Sequence, residues 1–277
     1  MLRPLLLVLA CLAGATIGVA QPASPGAPPE RSSGTASPTP INDAAPTANR
    51  AAPASMEDAP IYYVVRERPQ VFAKPDSAVT LARLDFRQDV RVIEQRPDGW
   101  SRVLGDDTIG WVATSALSNV WLLVEKETRN LYVYRGSELV RRLPADVSQN
   151  PTGDKVRRAS LGERDHYRIP EGEFFVCQKN LNSQYYRSFM LSYPNAEDAE
   201  RGLEAGIISR AEYAEIVKAS LGFRSPPMGT ALGGAIAIHG QGSGRQRAWT
   251  RGCVALRDVH LDAIWDLVDV GTPVLIR

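Results

Sequence analysis

Two residues that can carry out nucleophilic chemistry lie fourteen positions apart near the C-terminus, His239 and Cys253. A free cysteine is mostly protonated near neutral pH and the attacking species is the thiolate, so a neighbouring imidazole must accept the proton or stabilise the anion. The loop between them carries Gly240, Gly242 and Gly244, which we expect to adopt positive φ and to turn the chain back. This pattern predicts a cysteine nucleophile with His239 as its base.

Acyl transfer also requires backbone N–H groups aimed at the developing oxyanion. Gly252 lets the main chain turn so that its own amide and that of Cys253 point at one site. The alternative interpretation is a buried core cysteine and a satisfied loop histidine, since free cysteine is among the most buried residue types. The combination of thiol, imidazole and Gly-rich return favours catalysis.

The segments His239-Gly240 and Thr250-Arg251-Gly252-Cys253-Val254 resemble the signature of the L,D-transpeptidase (YkuD-type) catalytic domain. That signature is HG followed by [S/T]-[H/R]-G-C-[V/I]. The resemblance implies a β-rich domain that crosslinks or trims bacterial peptidoglycan through a cysteinyl thioester, with Cys253 and His239 as nucleophile and base and Gly252 at the oxyanion site. It further implies substrate contacts by Arg251, Gly240 and Thr250, and a backbone carbonyl that orients the His239 ring.

The same resemblance implies peptidoglycan stem peptides as partners, with an amine of another stem or of a wall-anchored protein as acyl acceptor. Many members have Arg two residues after the cysteine, whereas this chain has Ala255, with Arg257 two residues further on. The departure keeps a second hypothesis open, in which water is the acceptor and the protein is an L,D-carboxypeptidase or an amidase that releases wall-linked protein. A third hypothesis is a non-catalytic peptidoglycan-binding protein.

The composition excludes several other classes of protein. The 277 residues carry a formal net charge of +1 and a hydrophobic content of 44%, which gives no bias toward nucleic acid. Only three histidines are present, with neither HExxH nor paired CxxC, so we expect no metal site and no zinc peptidase. There is no GxSxG motif, and no cofactor is predicted. The sequence does not define an oligomeric state.

The first sixty residues indicate export. Residues 1–20 have one Arg, an apolar run and a small-residue end typical of a secretory signal peptide, which predicts a periplasmic or cell-wall location. A lipobox-like segment before Cys11 offers a less favoured alternative, a lipoprotein. Residues 21–60 are rich in Pro, Ala, Ser and Thr and predict a disordered linker.

Residues 61–119 change to short apolar runs separated by turn signals, which predicts strands. The runs are Tyr62–Val65, Val71–Ala73, Val90–Ile93, Trp100–Val103 and Gly110–Val112. Their arrangement resembles a bacterial SH3-like (SH3b) barrel. We expect Trp100 and Trp111 to serve as core residues, with a peptide-binding groove as the alternative.

Residues 120–277 are interpreted as the catalytic domain, so that the chain as a whole is predicted to be mainly β. A hairpin turning at 128–130 and the segment 169–175, similar to the family's T-P-x-G-x-F strand, open it. Residues 196–220 predict a helical insertion, broken near Gly206 and capped at Asn195 and Ser209, which forms either a lid or a surface excursion. Cys177 is expected to be a buried strand residue, with a regulatory Cys177–Cys253 disulfide as an alternative.

A helix is predicted after the cysteine, with Asp258 as its N-cap and Gly271 as its stop. We expect this helix to pack beneath the active site. The segment 273–276 is predicted to return as a closing strand.

Overall fold

The structure is a computed structural model that describes residue 56 and residues 58–277. The predicted signal peptide, Cys11 and nearly all of the 21–60 linker therefore lie outside the described residues. The described part is mainly β, as predicted, with three α-helices.

Seven short strands between residues 61 and 118 form one sheet. They are β1 (Ile61–Val64), β2 (Gln70–Phe72), β3 (Thr80–Arg83), β4 (Asp89–Gln95), β5 (Trp100–Gly105), β6 (Thr108–Ala113) and β7 (Leu117–Ser118). The order is β3-β2-β6-β5-β4-β1-β7 and the pairings are antiparallel. All five predicted runs are strands, but the sheet has two edge strands and is not a closed barrel. The relationship to SH3b modules stays a prediction.

The two tryptophans of this sheet lie outside its core, contrary to expectation. The core is aliphatic and includes Val64, Val103 and Val112. Because side chains alternate between the two faces of a strand, inward-facing Val103 and Val112 leave Trp100 and Trp111 on the other face, where both are half-buried.

Ten further strands and three helices follow. The strands are β8 (Val120–Glu125), β9 (Asn130–Arg135), β10 (Glu138–Pro144), β11 (Val147–Ser148), β12 (Gly172–Ser183), β13 (Tyr186–Leu191), β14 (Ala237–His239), β15 (Ala248–Thr250), β16 (Val254–Ala255) and β17 (Pro273–Ile276). The helices are α1 (Ala196–Glu204), α2 (Arg210–Leu221) and α3 (Asp258–Trp265).

Eight of these strands form a second sheet in the order β10-β9-β8-β17-β12-β13-β14-β16, and β11 pairs with β15 separately. The predicted 128–130 turn joins the antiparallel pair β8 and β9. The closing strand β17 lies between β8, to which it is parallel, and β12, to which it is antiparallel. This arrangement leaves β14 and β16 at the end of the sheet that carries the candidate chemistry.

Helix α3 packs against this sheet through Leu261, Ile264 and Trp265, which belong to its main core. The Trp265 ring stacks on Phe189 of β13 with centroids 4.8 Å apart. The predicted N-cap is wrong: Arg257 occupies that position without a side-chain bond, and the Asp258 carboxylate accepts a hydrogen bond from the Gln241 amide at 2.7 Å. The Asp258 carboxylate therefore binds the loop between His239 and Cys253 instead of capping the helix.

The helical insertion has the caps that the sequence predicts. Asn195 and Ser209 each accept a hydrogen bond from the third residue of their helix, and that residue returns one, so both helices begin with a capping box. Ala199, Ile208 and Ile216 of the insertion form a small core together with Leu232, which follows it in the chain. A lid function for it stays a prediction.

The two sheets contact each other beside α2. The Arg87 guanidinium lies over the rings of Tyr63 and Phe223, 4.5 and 5.4 Å from their centroids. The Tyr63 hydroxyl donates to the Val120 carbonyl, at the start of β8. Within the described residues, no helix combines the length and the hydropathy needed to cross a bilayer.

Candidate active site

Two neighbouring strands at the end of the second sheet carry His239 and Cys253. His239 is the last residue of β14, and Cys253 directly precedes β16. The strands are parallel and in register, with Ile238 opposite Val254 and His239 opposite Ala255. Cys253 lies two residues before Ala255, which is opposite His239. Because side chains alternate along a strand, this register puts His239 and Cys253 on the same face of the sheet. The strand begins at Ala237, two residues after Ala235, which has a φ of 55° and is therefore not extended.

The glycines of the intervening loop serve two different purposes. Gly244 has a φ of 68°, as predicted. Gly240 and Gly242 do not have positive φ, so the prediction is wrong for them; a Cβ at Gly240 would lie 2.5 Å from Asp258 Oδ1, and one at Gly242 would lie 2.6 Å from the Ala255 carbonyl oxygen. These two positions require glycine because other chain segments approach the backbone closely.

Asp146, which sequence reasoning missed, holds this loop. Its buried carboxylate accepts hydrogen bonds from the amide and hydroxyl of Ser243, both at 2.7 Å, from the Arg247 amide at 2.9 Å and from Trp249 Nε1 at 2.8 Å. Its own backbone N–H and C=O pair with Ala255. Burial raises the pKa of Asp146, but the bonds from Ser243, Arg247 and Trp249 outweigh it and lower the pKa overall.

The His239 ring is oriented by a main-chain carbonyl. Its Nδ1 lies 2.7 Å from the Gly240 carbonyl oxygen, which can only accept, so Nδ1 donates and the neutral ring keeps its lone pair on Nε2. The Tyr185 ring stacks on the imidazole at 4.5 Å, and the Trp249 ring lies edge-on at 6.1 Å. Burial lowers the pKa of His239. Gly240, predicted as a substrate contact, thus has its carbonyl engaged in orienting the ring.

Cys253 is a half-buried free thiol whose Sγ lies 3.7 Å from the Ala235 carbonyl oxygen. Burial raises its pKa, while the Ala237 amide and the charge of Lys155 act in the opposite direction. Burial thus favours the neutral form of both side chains, because it raises the pKa of Cys253 and lowers that of His239.

The residues before Cys253 shape its backbone. Gly252 has a φ of 137°, and a Cβ there would lie 2.9 Å from the Arg168 carbonyl oxygen, so only glycine fits without strain. The buried Thr250 hydroxyl donates to the Cys253 carbonyl at 2.6 Å. Thr250 therefore supports the backbone of the cysteine, and the substrate contact predicted for it stays a prediction.

A cavity of about 390 Å³ opens at the sulfur. Arg251, Lys155 and Arg158 line it together with Cys253, and no acidic residue is among the described residues of its wall. The Arg251 guanidinium lies over the Tyr167 ring at 5.5 Å. Such a lining favours a ligand that carries carboxylates. A second cavity, of about 350 Å³, lies between the two sheets beside Arg87 and Trp121 and holds no thiol or imidazole.

Cys177 is in β12, half-buried rather than buried, and its Sγ donates to the Met190 carbonyl at 3.4 Å. Both it and Cys253 are free cysteines. Across residue 56 and residues 58–277, no group of three His, Cys, Asp or Glu side chains is arranged to hold a metal ion.

Sequence reasoning missed Asp146, Lys155 and Tyr185. Each is distant in sequence from the residue that it serves, and none belongs to a motif; Asp146 and Ser243, for example, are 97 positions apart. Only the pairing of β12 with β13 and of β13 with β14 brings Tyr185 next to His239.

Comparison with known proteins adds an independent finding. The family model described as the YkuD L,D-transpeptidase catalytic domain matches residues 119–276. No curated protein matches the chain. The matched segment contains both strands of the site described above.

Several solved structures are similar to part of the chain. Bd1075 from Bdellovibrio bacteriovorus is 24% identical with a TM-score of 0.39, over 59% of this chain and 49% of that one. An L,D-transpeptidase from Mycobacterium smegmatis is 12% identical with a TM-score of 0.35, over 64% and 66%. The catalytic domain of an Enterococcus faecium L,D-transpeptidase, acylated by ertapenem, is 12% identical with a TM-score of 0.33, over 58% and 98%. The chain therefore spans about half of the length of Bd1075 and about two thirds of the length of the Mycobacterium smegmatis protein.

Proposed function

Because the chain belongs to the YkuD family of L,D-transpeptidase catalytic domains, we propose that it is a peptidoglycan L,D-transpeptidase acting on stem peptides through a cysteinyl thioester. The observation that carries the proposal is the in-register pairing of β14 with β16, which puts His239 and Cys253 on one face of adjacent strands. A wall-binding protein without catalysis has no need of a thiol and an imidazole placed in this way.

In the first half-reaction Nε2 of His239 takes the Cys253 proton, and the thiolate attacks the carbonyl carbon of the third stem residue. The tetrahedral intermediate collapses with cleavage of the C–N bond. The imidazolium gives its proton to the departing D-amino acid, which leaves as an amine, and the acyl group stays on sulfur as a thioester. Because the Gly240 carbonyl holds Nδ1–H, Nε2 is the nitrogen available for both transfers.

In the second half-reaction the amine of another stem attacks the thioester, again with His239 as base, and the thiolate is released. The amides of Gly252 and Cys253 stabilise the oxyanion in both steps. Arg251, which lies in the cavity wall beside the sulfur, pairs with a substrate carboxylate. An amine of a wall-anchored protein is an equivalent acceptor.

The remaining parts of the proposal concern the rest of the chain. We assign residues 61–119 to an SH3b-like module and residues 120–277 to the catalytic domain; in support, each of the two sheets packs on its own hydrophobic core. The N-terminal pattern supports export to the periplasm or cell wall. Since Trp100 and Trp111 are half-buried on the outer face of the first sheet, they are available for a peptide contact there.

Product analysis tests the proposal. Purified protein is incubated with isolated tetrapeptide muropeptides, and the products are identified by mass spectrometry, with Cys253→Ala as the matched control. We expect crosslinked dimers together with free terminal D-amino acid. Shortened stems without dimers would show instead that water is the acceptor, and unchanged muropeptides would contradict an enzymatic function.

The pH dependence of turnover is a further prediction. Nε2 must be unprotonated to accept the thiol proton, and burial lowers the pKa of His239 from 6.5. Activity is therefore present above the pKa of the buried ring and is lost as the pH falls through it, so the acid limb of the kcat/KM profile has its midpoint below 6.5. The His239 imidazole titration, followed by NMR and assigned with His239→Gln, gives the same midpoint. A midpoint above 6.5 in either measurement would contradict the assignment of His239 as the base.

A further inference from the structure

A lysine that the mechanism above does not use is buried in the wall of the Cys253 cavity. Lys155 has only 4% of its surface exposed. Its Nζ donates to the His166 carbonyl at 3.2 Å, and its Cε would lie 3.4 Å from a Cβ placed on Gly233, which also lines the cavity. Burying an ammonium in this way is costly unless a negative charge accompanies it.

The nearby carboxylates are already engaged elsewhere. Asp154 forms an ion pair with Arg201 at 2.7 Å and accepts the Glu171 amide at 2.7 Å. Asp198, which lines a small cavity on the other side of Lys155, forms an ion pair with Arg201 at 2.6 Å. In the described part of the chain, Lys155 takes part in none of the ion pairs. Apart from the Tyr167 phenol, the group that can become negative in the wall shared with Lys155 is the Cys253 thiol.

We propose that Lys155 is a positioning residue whose buried ammonium is the counter-charge of the Cys253 thiolate. This inference rests on the proposed role of Cys253 as nucleophile. When Nε2 of His239 removes the thiol proton, the electron pair of the S–H bond stays on sulfur and Lys155 keeps all its protons. The lysine thus stabilises the charge that forms before attack and leaves the proton transfer to the imidazole.

The electrostatics of the cavity agree with this assignment. Burial lowers the pKa of Lys155 to about 8; the Cys253 thiolate and Asp154 act to raise it, and Arg158 acts to lower it. Reciprocally, Lys155 acts to lower the pKa of the thiol. His239, Arg251 and Tyr167 are the other titratable groups around the sulfur and the cavity. The stabilisation of the thiolate is present while Lys155 is protonated and is lost as the pH rises above about 8.

The rate of Cys253 alkylation by iodoacetamide tests the inference without substrate or turnover. The full chain is alkylated across a range of pH, and modification of the Cys253 peptide is quantified by mass spectrometry. Iodoacetamide is neutral, so its rate reports the thiolate and not attraction of an anionic reagent into the cavity. Near pH 7, where Lys155 is protonated, we expect Lys155→Met to lower the alkylation rate about tenfold, and Lys155→Arg, which keeps the charge, to lower it by much less.

Arg158→Gln is the matched control. Arg158 lines the same cavity, but its guanidinium donates hydrogen bonds to the carbonyls of Met228 and Thr230. We expect this variant to leave the alkylation rate near pH 7 close to that of the wild type. A Lys155→Met profile that superimposes on the wild-type profile would overturn the proposal. An equal loss of rate in Arg158→Gln would also overturn it, since general positive potential would then be the cause.

A reciprocal measurement tests the same proposal if Lys155→Met does not fold. In protein labelled with ¹³C at lysine Cε, the Lys155 resonance is assigned by its absence from Lys155→Arg and is titrated in wild type and in Cys253→Asp, whose carboxylate stands in for the thiolate. The carboxylate raises the Lys155 midpoint if the two positions face each other as counter-charges, and an unchanged midpoint contradicts it. Both readouts concern only the thiol and the ammonium, so a protein without transpeptidase activity can still pass or fail them.

Discussion

Replacing Cys253 with alanine is expected to reduce the formation of crosslinked dimers at least about a thousandfold, because no other group replaces the nucleophile. The effect should appear in kcat/KM, and the melting temperature should stay close to that of the wild type, since the half-buried thiol makes only weak contacts, with the Ala235 carbonyl and the Ala237 amide. Intact-protein mass spectrometry during turnover should detect an acyl adduct on the wild type and none on Cys253→Ala.

Cys177→Ala is the matched control for this prediction. Cys177 is the other free cysteine of the described chain, and it lies in β12 rather than beside His239. We expect it to keep turnover near the wild-type value and to form the same adduct. Loss of the adduct in Cys177→Ala together with its retention in Cys253→Ala would show that Cys177, and not Cys253, is the nucleophile.

Replacing Asp146 with asparagine is expected to lower the free energy of unfolding by about 3 kcal/mol or more. The Asp146 carboxylate faces N–H and O–H donors of Ser243, Arg247 and Trp249. In asparagine an NH₂ group replaces one carboxylate oxygen. The N–H and O–H groups that face it are then buried without an acceptor. Thermal unfolding should shift downward by about 6 to 12 °C, and turnover should fall further because the loop joining His239 to Cys253 loses its anchor.

The charge of Asp146 also sets the sign of a pH effect. Its pKa is lowered in the folded protein, so its contribution to stability is present above 3.8 and is lost as the pH falls through the folded-state pKa. Asp258→Asn is the control, since Asp258, the first residue of α3, bonds to the same loop through one amide, that of Gln241, and through an oxygen that asparagine retains. We expect it to lose about 1 kcal/mol or less. Equal destabilisation by the two variants would contradict the anchoring role of Asp146.

Local sequence signals predicted the secondary structure well where the interacting groups are near in sequence. Asn195 with Asp198, and Ser209 with Glu212, form capping boxes as predicted, because the cap and its partner are three residues apart. The same reasoning was wrong for Asp258, whose carboxylate is taken by an amide 17 positions away. Local propensity also did not reveal that Trp100 and Trp111 lie on the outer face of their sheet, because which face is covered depends on what packs against it.

For the candidate site, the sequence alone determined the residue types and the family resemblance: a thiol, an imidazole, a Gly-rich return and a glycine before the cysteine. The tertiary structure decided what surrounds them. The pairing of β14 with β16 put the two side chains on one face. In the folded chain the Gly240 carbonyl orients the His239 ring, Asp146 binds the loop and Lys155 lines the cavity. Charges and carbonyls from distant segments act through distance and burial, and these quantities exist only once the chain has folded.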